Sequence, residues 1–195
     1  MKMASANPAG WIVDLRGDSG GDLWRPLVAL GPLVDGGTVG YLKGPHGGEP
    51  WIYAANAIST QISEMENSGY DETYSRVFWS MPGPHLDVPP RPVAVLIDHG
   101  AAGMGESLAL AFAGRKDERS FGAPTLGRMD PENGVVWPLS DGATLRMPRG
   151  IAEDRHGHTY PNGFRPDVVV STDSLAAVDN DPVVHTAEAW IETVR

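Results

Sequence analysis

Two glycine-rich turns hold the residues of this chain that could do chemistry. The first, Gly17-Asp18-Ser19-Gly20-Gly21, follows an apolar run that starts at Gly10-Trp11-Ile12-Val13. In the second, Gly100, Gly103 and Gly105 fall within six residues, after the run Val93–Ile97 and Asp98 and before a helix-forming stretch that opens at Glu106. A turn at the carboxyl end of a buried strand presents main-chain N–H groups at a helix start, where ligands and nucleophiles gather in open α/β sheets. A purely structural crossover would use the same glycines to turn sharply. Few side chains add to these donors. Ser19 and Ser107 carry hydroxyls without an evident base, and His99, beside the second turn, is a candidate base that could equally be solvated or bonded to backbone. His156 and His158 flank Gly157 as a His-x-His pair, but no third metal ligand stands at a suitable spacing and a polar turn explains them more simply. His46, His85 and His185 are isolated and receive no role.

These turns need a sheet to hold them. Val93–Ile97 is a continuous apolar, β-branched run started by Pro92, the pattern of a strand buried on both faces, and the helix after it carries Leu108, Ala111 and Phe112 on one side. The first unit repeats that architecture: a buried strand over Gly10–Arg16, the glycine turn, Asp22 as a cap, and a helix with Leu23, Leu27 and Leu30 stopped by Gly31-Pro32. Thr38–Leu42 and Trp51–Ala54 read as a hairpin around Lys43–Pro50, whereas Ala55–Arg91 loses periodicity and reads as a surface excursion. Arg119–Gly122 is a short strand, and Ala123–Arg128 a loop. Val135–Leu139 and Ala143–Met147 form a hairpin around the strong Asp141-Gly142 turn signal. Ile151–Glu153 and Thr159-Tyr160 flank a second turn, Val168–Val170 is a strand, and Asp181-Pro182 caps a last helix striped by Val184, Ala187, Trp190, Ile191 and Val194. The expectation is one α/β domain over residues 1–195: a mostly parallel sheet with crossing helices and an accessory β-hairpin region.

Composition narrows the partners. Twenty-five acidic against fifteen basic side chains give a formal charge of -10, which repels phosphate backbones and anionic lipid and argues against nucleic acid and membrane surfaces as partners. Without cysteine there is no disulfide framework and no thiol nucleophile. Met1–Gly10 has no apolar run of the signal-peptide kind, and no run approaches the ~18 residues of a membrane span, so a soluble cytoplasmic protein is expected.

Four blocks, in order, resemble the tail-specific, or C-terminal-processing, serine peptidase family. They are Asp14-Leu15-Arg16-Gly17-Asp18-Ser19-Gly20-Gly21, Gly122–Arg128 for the family's Gly-x-x-Thr-x-Gly-Lys/Arg, Leu139-Ser-Asp-Gly-Ala, and Pro166-Asp167-Val168. The resemblance implies a Clp-protease/crotonase-like core, a peptide or protein substrate and no cofactor. It also implies that a helical segment, and often a peptide-binding module, precedes the core, so that a missing N-terminal region or a partner chain would complete it.

Against that pattern the chemical positions are substituted. The family's Thr-x-Ser-x-x-Glu phrase places its nucleophile at Gly103 and its threonine at Ala101. The lysine base of one family branch falls on Arg128, whose guanidinium stays protonated; another branch takes a histidine from an upstream region where this chain has about nine residues. Ser107, four residues along the helix, is a poor substitute. What the resemblance leaves is an oxyanion hole of main-chain donors at Gly20 or Gly21 and at Met104. Three readings follow: a serine peptidase by descent, a pseudopeptidase that binds peptide tails, and an oxyanion-hole enzyme of other chemistry, such as a cyclase or isomerase with His99. Arg16 is expected to be structural, paired with a carboxylate beneath the first turn.

Overall fold

The computed structural model describes residues 7–44, 47–65, 71–80, 88–129, 135–148, 150–171 and 180–194. Its centre is a four-stranded, all-parallel sheet of β1 (Trp11–Asp14), β6 (Val93–Ile97), β7 (Glu118–Gly122) and β11 (Val168–Val169), in the order β1-β6-β7-β11. Every residue of β6 is buried, as its uninterrupted apolar sequence requires of a strand covered on both faces. β1 is different: expected to be buried, it is an edge strand in which only Val13 is fully enclosed and Ile12 is exposed.

Helix α3 (Pro182–Thr193) covers one face of this sheet, seating Val183, Ala187 and Ile191 on Ala94, Leu96 and Phe121. The cap is as the sequence reads: Asp181 accepts from the amides of Val183 and Val184 ahead of Pro182. The stripe is only partly so, because Val194 lies exposed beyond the helix end.

On the other face lies α2 (Met104–Phe112), all nine of whose residues are buried. A one-sided apolar stripe is therefore too narrow a description. The helix is roofed by α1 (Trp24–Val34) and by a five-stranded antiparallel sheet ordered β10-β2-β3-β4-β5: β2 (Gly37–Gly44), β3 (Gly47–Ala54), β4 (Ala57–Met65), β5 (Asp71–Ser80) and β10 (Ile151–Glu153). The crossing is close at Gly40, where a Cβ would stand 3.0 Å from a Leu110 methyl and 2.9 Å from the Trp51 ring. Leu27, Val39, Trp51, Ile58, Leu110 and Phe112 fill the space between, each apolar side chain of this size stabilising the fold by about 1.5–3 kcal/mol when fully buried.

Two further expectations are corrected. Gly31-Pro32 does not stop α1, which runs to Val34 with Pro32 inside it; Gly31 is where the Tyr53 ring presses on the helix, 2.0 Å from where a Cβ would be. The stretch Ala55–Arg91 is not simply an excursion, since β4 and β5 occupy much of it. The β3–β4 hairpin turns at Ala55-Asn56, both with positive φ (47° and 64°), as a type I′ turn demands, although Ala-Asn is not the Asn-Gly pair that announces one. The hairpin of β8 (Val135–Pro138) and β9 (Thr144–Met147) forms as expected, with Gly142 at φ 84° and Asp141 accepting from the Ala143 amide. His46 and His85 lie outside the described residues.

Candidate active site

β1 and β6 run parallel with Asp14 opposite Leu96, so both glycine turns leave the sheet at the same end and side by side. Asp98 joins them. Its Oδ1 accepts from the amides of Gly17 (2.9 Å), Gly100 (2.9 Å) and Ala101 (3.1 Å), while the Ala102 amide donates to the Asp18 carbonyl (2.9 Å). The approach admits no side chains: a Cβ on Gly105 would lie 2.3 Å from the Asp18 oxygen, and one on Gly100 would lie 2.9 Å from the Gly17 Cα.

A third segment is tied in from beneath by Glu106. Its carboxylate is fully buried and accepts from the amides of Gly103 (3.0 Å), Gly127 (2.7 Å) and Arg128 (2.7 Å) and from the Thr125 hydroxyl. Thr125 Oγ1 in turn accepts from the Phe164 amide (2.8 Å). A buried carboxylate is tolerated when its lone pairs are met by donors, and here four donors from two segments converge on it. Glu106 thus fixes the main chain of residue 128 beside that of residue 103; a Cβ on Gly103 would be 3.6 Å from the Arg128 carbonyl oxygen and near nothing else. Sequence reasoning read Glu106 only as the residue that opens α2. The three-residue spacing from Gly103, half of a capping box, was the signal for the first bond, but nothing local indicates the long-range bonds to the Thr125–Arg128 loop.

Gly103 itself has φ 56° and ψ -106°, a region that side-chain-bearing residues enter only under strain. Strained strand-to-helix turns of this kind lift a nucleophile to the top of a sheet in hydrolases. Here the residue at that turn is a glycine.

The turns enclose an open cleft of about 340 Å³ lined by Gly20, Gly21, Gly103, Met104 and Arg128, with Ser19, Ala102 and Leu126. Five of the six site residues read from the sequence therefore meet in one place. The donors are not equal. Gly20 N–H leans towards its neighbour Asp18 at 3.4 Å, whereas the amides of Gly21 and Met104 donate to no other described residue. His99 is exposed and does not line the cleft. Ser107 is fully buried, its hydroxyl turned back onto the Gly103 carbonyl (3.1 Å), which takes it out of contention as a nucleophile.

Arg16 sits below the first turn as a strut. It contacts Asp14 at 2.7 Å and Asp181 at 2.6 Å, joining the end of β1 to the start of α3; the hydrogen bonds to Asp14 and then Asp181 raise its already high pKa despite partial burial. The His-x-His turn lies at the far end of α2, which at nine residues is about 13 Å long. There the Arg155 guanidinium donates to the Val34 and Ala111 carbonyls, and a ring nitrogen of His156 meets the Gly114 carbonyl at 3.2 Å. His158 faces Asp154 at 3.1 Å. Burial works against the charge on Asp154, but hydrogen bonds from the His158 and His156 amides and the Tyr160 hydroxyl outweigh it and hold its pKa low. The histidines thus brace a turn. Among the described residues no three His, Asp or Glu side chains are grouped to hold a metal ion, and no helix is long and apolar enough to cross a membrane.

With this geometry in hand, comparison with known proteins is specific. A nisin-resistance protein of Lactococcus lactis subsp. lactis is 29% identical over 174 residues, covering 89% of this chain and 50% of that protein. This chain thus spans half the length of its curated relative. Among solved structures, a lipoprotein from Streptococcus agalactiae matches 96% of this chain and 55% of its own (TM-score 0.60, 20% identity). A photosystem II D1 C-terminal processing protease matches 90% of this chain and 38% of its own (TM-score 0.59, 22% identity). At these identities the structural likeness establishes the fold, a mixed α/β core of the Clp-protease-like class. The model of peptidase family S41 matches residues 1–170, and the chain belongs to that family.

Proposed function

We propose that this chain is a serine-peptidase core by descent whose cleft binds peptide without cleaving it. The observation that carries this reading is Gly103: a glycine occupies a strained strand-to-helix turn of the kind that carries a nucleophile, beside a cleft with two main-chain donors that are unengaged among the described residues. Arg128 stands where one family branch has a lysine base, and a guanidinium cannot accept the serine proton. Family membership and the position of the cleft between two glycine turns support a peptide or protein as the ligand. The oxyanion-hole enzyme of other chemistry loses ground, since His99 does not line the cleft.

The test is labelling by a fluorophosphonate probe together with peptide binding and turnover. The native chain is expected to stay unlabelled and to bind peptides without releasing fragments; covalent labelling of Ser19 or Ser107 would overturn the reading. Gly103→Ser restores the hydroxyl but no base, and loss of a general base costs about 10²- to 10⁴-fold, so labelling of this variant should be weak at most. Gly103→Ser with Arg128→Lys should label more strongly than the single variant if Glu106 holds position 128 in Ser/Lys geometry.

A further inference from the structure

The antiparallel sheet ends at β5, the last strand in the order β10-β2-β3-β4-β5, and among the described residues no strand pairs its outer side. Native chains blunt such an edge with proline, lysine, a bulge or a very short strand, because its open N–H and C=O groups are a template for another chain. From Asp71 to Val77, β5 has none of these. Seven residues pair with β4 without a break, from Asp71 opposite Met65 to Val77 opposite Ser59, and none of them is Pro, Gly or Lys. The ladder becomes irregular only beyond the exposed Val77, where Trp79 stands opposite Ile58 and Phe78 is passed over. Such an irregularity bends a strand and ends regular pairing. The middle of the unbroken stretch is Tyr74.

The sequence of that stretch is self-complementary about the same residue. On a strand edge the outward groups come from alternate residues, so a two-fold antiparallel pairing sets positions of like parity opposite one another. Centred on Tyr74, it sets Glu72 of each copy opposite Arg76 of the other, and Tyr74 opposite Tyr74. Centred on Ser75, it loses both charge pairs and sets Glu72 opposite Phe78, at the irregularity; centred on Arg76, it sets like charges face to face. Within the chain, Glu72 stands opposite Glu64 of β4, a like-charge pair of the unfavourable kind, and an arginine on the open side of Glu72 offsets it. Two copies of charge -10 repel at a distance, so they associate only where the contact is locally complementary. We propose that two copies of this chain join along β5, antiparallel and centred on Tyr74, so that their five-stranded sheets become one continuous sheet. This interface is independent of what the cleft binds.

The test uses the full chain. In sedimentation equilibrium the native chain should show a concentration-dependent equilibrium between monomer and dimer. Arg76→Glu sets like charges opposite each other twice and should weaken the dimer by about tenfold or more. Exchanging the charges, with Glu72→Arg and Arg76→Glu together, should restore it, which a merely structural loss at position 76 would not allow. The chain contains no cysteine, so a single one reports the register. Directly opposed residues of an antiparallel pair have Cα atoms about 4.5–5.5 Å apart, within the span of a disulfide. Tyr74→Cys should therefore form a disulfide-linked dimer under mild oxidation, read on a non-reducing gel, while Ser80→Cys at the same concentration stays unlinked. A native chain that sediments as a monomer at every concentration would overturn the proposal. So would a dimer that the charge exchange fails to restore, or one in which Tyr74→Cys links no more than Ser80→Cys.

Discussion

Glu106 shows how much one buried charge can organise. Its carboxylate serves three amides and a hydroxyl, so removing it strands several buried donors at once, each costing about 1–3 kcal/mol when left unpaired. Glu106→Ala should therefore destabilise the chain by roughly 3 kcal/mol or more in urea denaturation. Glu106→Gln should also be costly, because its amide nitrogen would face donors. At this scale the sequence was most legible where chemistry depends on the backbone. Gly20, Gly21, Gly103 and Met104 could be gathered into one cleft because two turns followed two strands, whereas Arg128 was reached only through the family resemblance. Glu106 and Asp98 were opaque, because their partners lie up to 22 and 81 residues away and no local spacing encodes such pairs.

Among the elements, the strands with a single unambiguous pattern were readable: β6 as an unbroken apolar run, and the β8–β9 hairpin from its Asp-Gly turn. β4 was not, because the hairpin that joins it to β3 turns on Ala55-Asn56, where Ala carries no turn signal of its own and pays in backbone strain. The edge position of β1 was invisible too, since Trp-Ile-Val is apolar whether or not a neighbour covers it. Helix α3 offers the cleanest quantitative test. Asp181 caps the helix and also takes the Arg16 strut, and these hydrogen bonds lower its pKa against the opposing effect of desolvation. Asp181→Ala should cost about 1–2 kcal/mol, of which about 1 is the cap. Asp181→Asn, which still accepts from the helix amides but lacks the charge, should cost less than half as much by denaturation midpoint.

For the whole molecule, pH acts through carboxyl groups of opposite tendency. Asp154 and Asp181 have lowered pKa values, so their stabilisation is present above the ordinary carboxylate range and is lost as pH falls through it. Glu118 is the reverse: burial, then the charge of Asp167, push it from 4.5 up to about 8, against the opposing pull of Arg115, Arg155 and Arg119. The folded chain holds this proton where the unfolded chain has released it, so its contribution is full below about pH 4.5 and declines until about pH 8. Stability should fall across that window, and Glu118→Gln should flatten the fall by on the order of 1 kcal/mol in thermal melts taken at each pH. A variant whose slope matched that of the native chain would show that Glu118 is charged in the folded state.

The enclosure of α2 on every side bears on where this cleft can change over evolutionary time. A helix with nine buried residues cannot shift without repacking both sheets, so the cleft floor at Met104 is inherited with the fold. The rim is under no such constraint: Ser19, Leu126 and Arg128 are exposed, and Leu126 and Arg128 are tied to the scaffold through their main-chain amides. New ligand preferences can thus be written in these three side chains, while the donor pair beneath them passes unaltered from one descendant to the next.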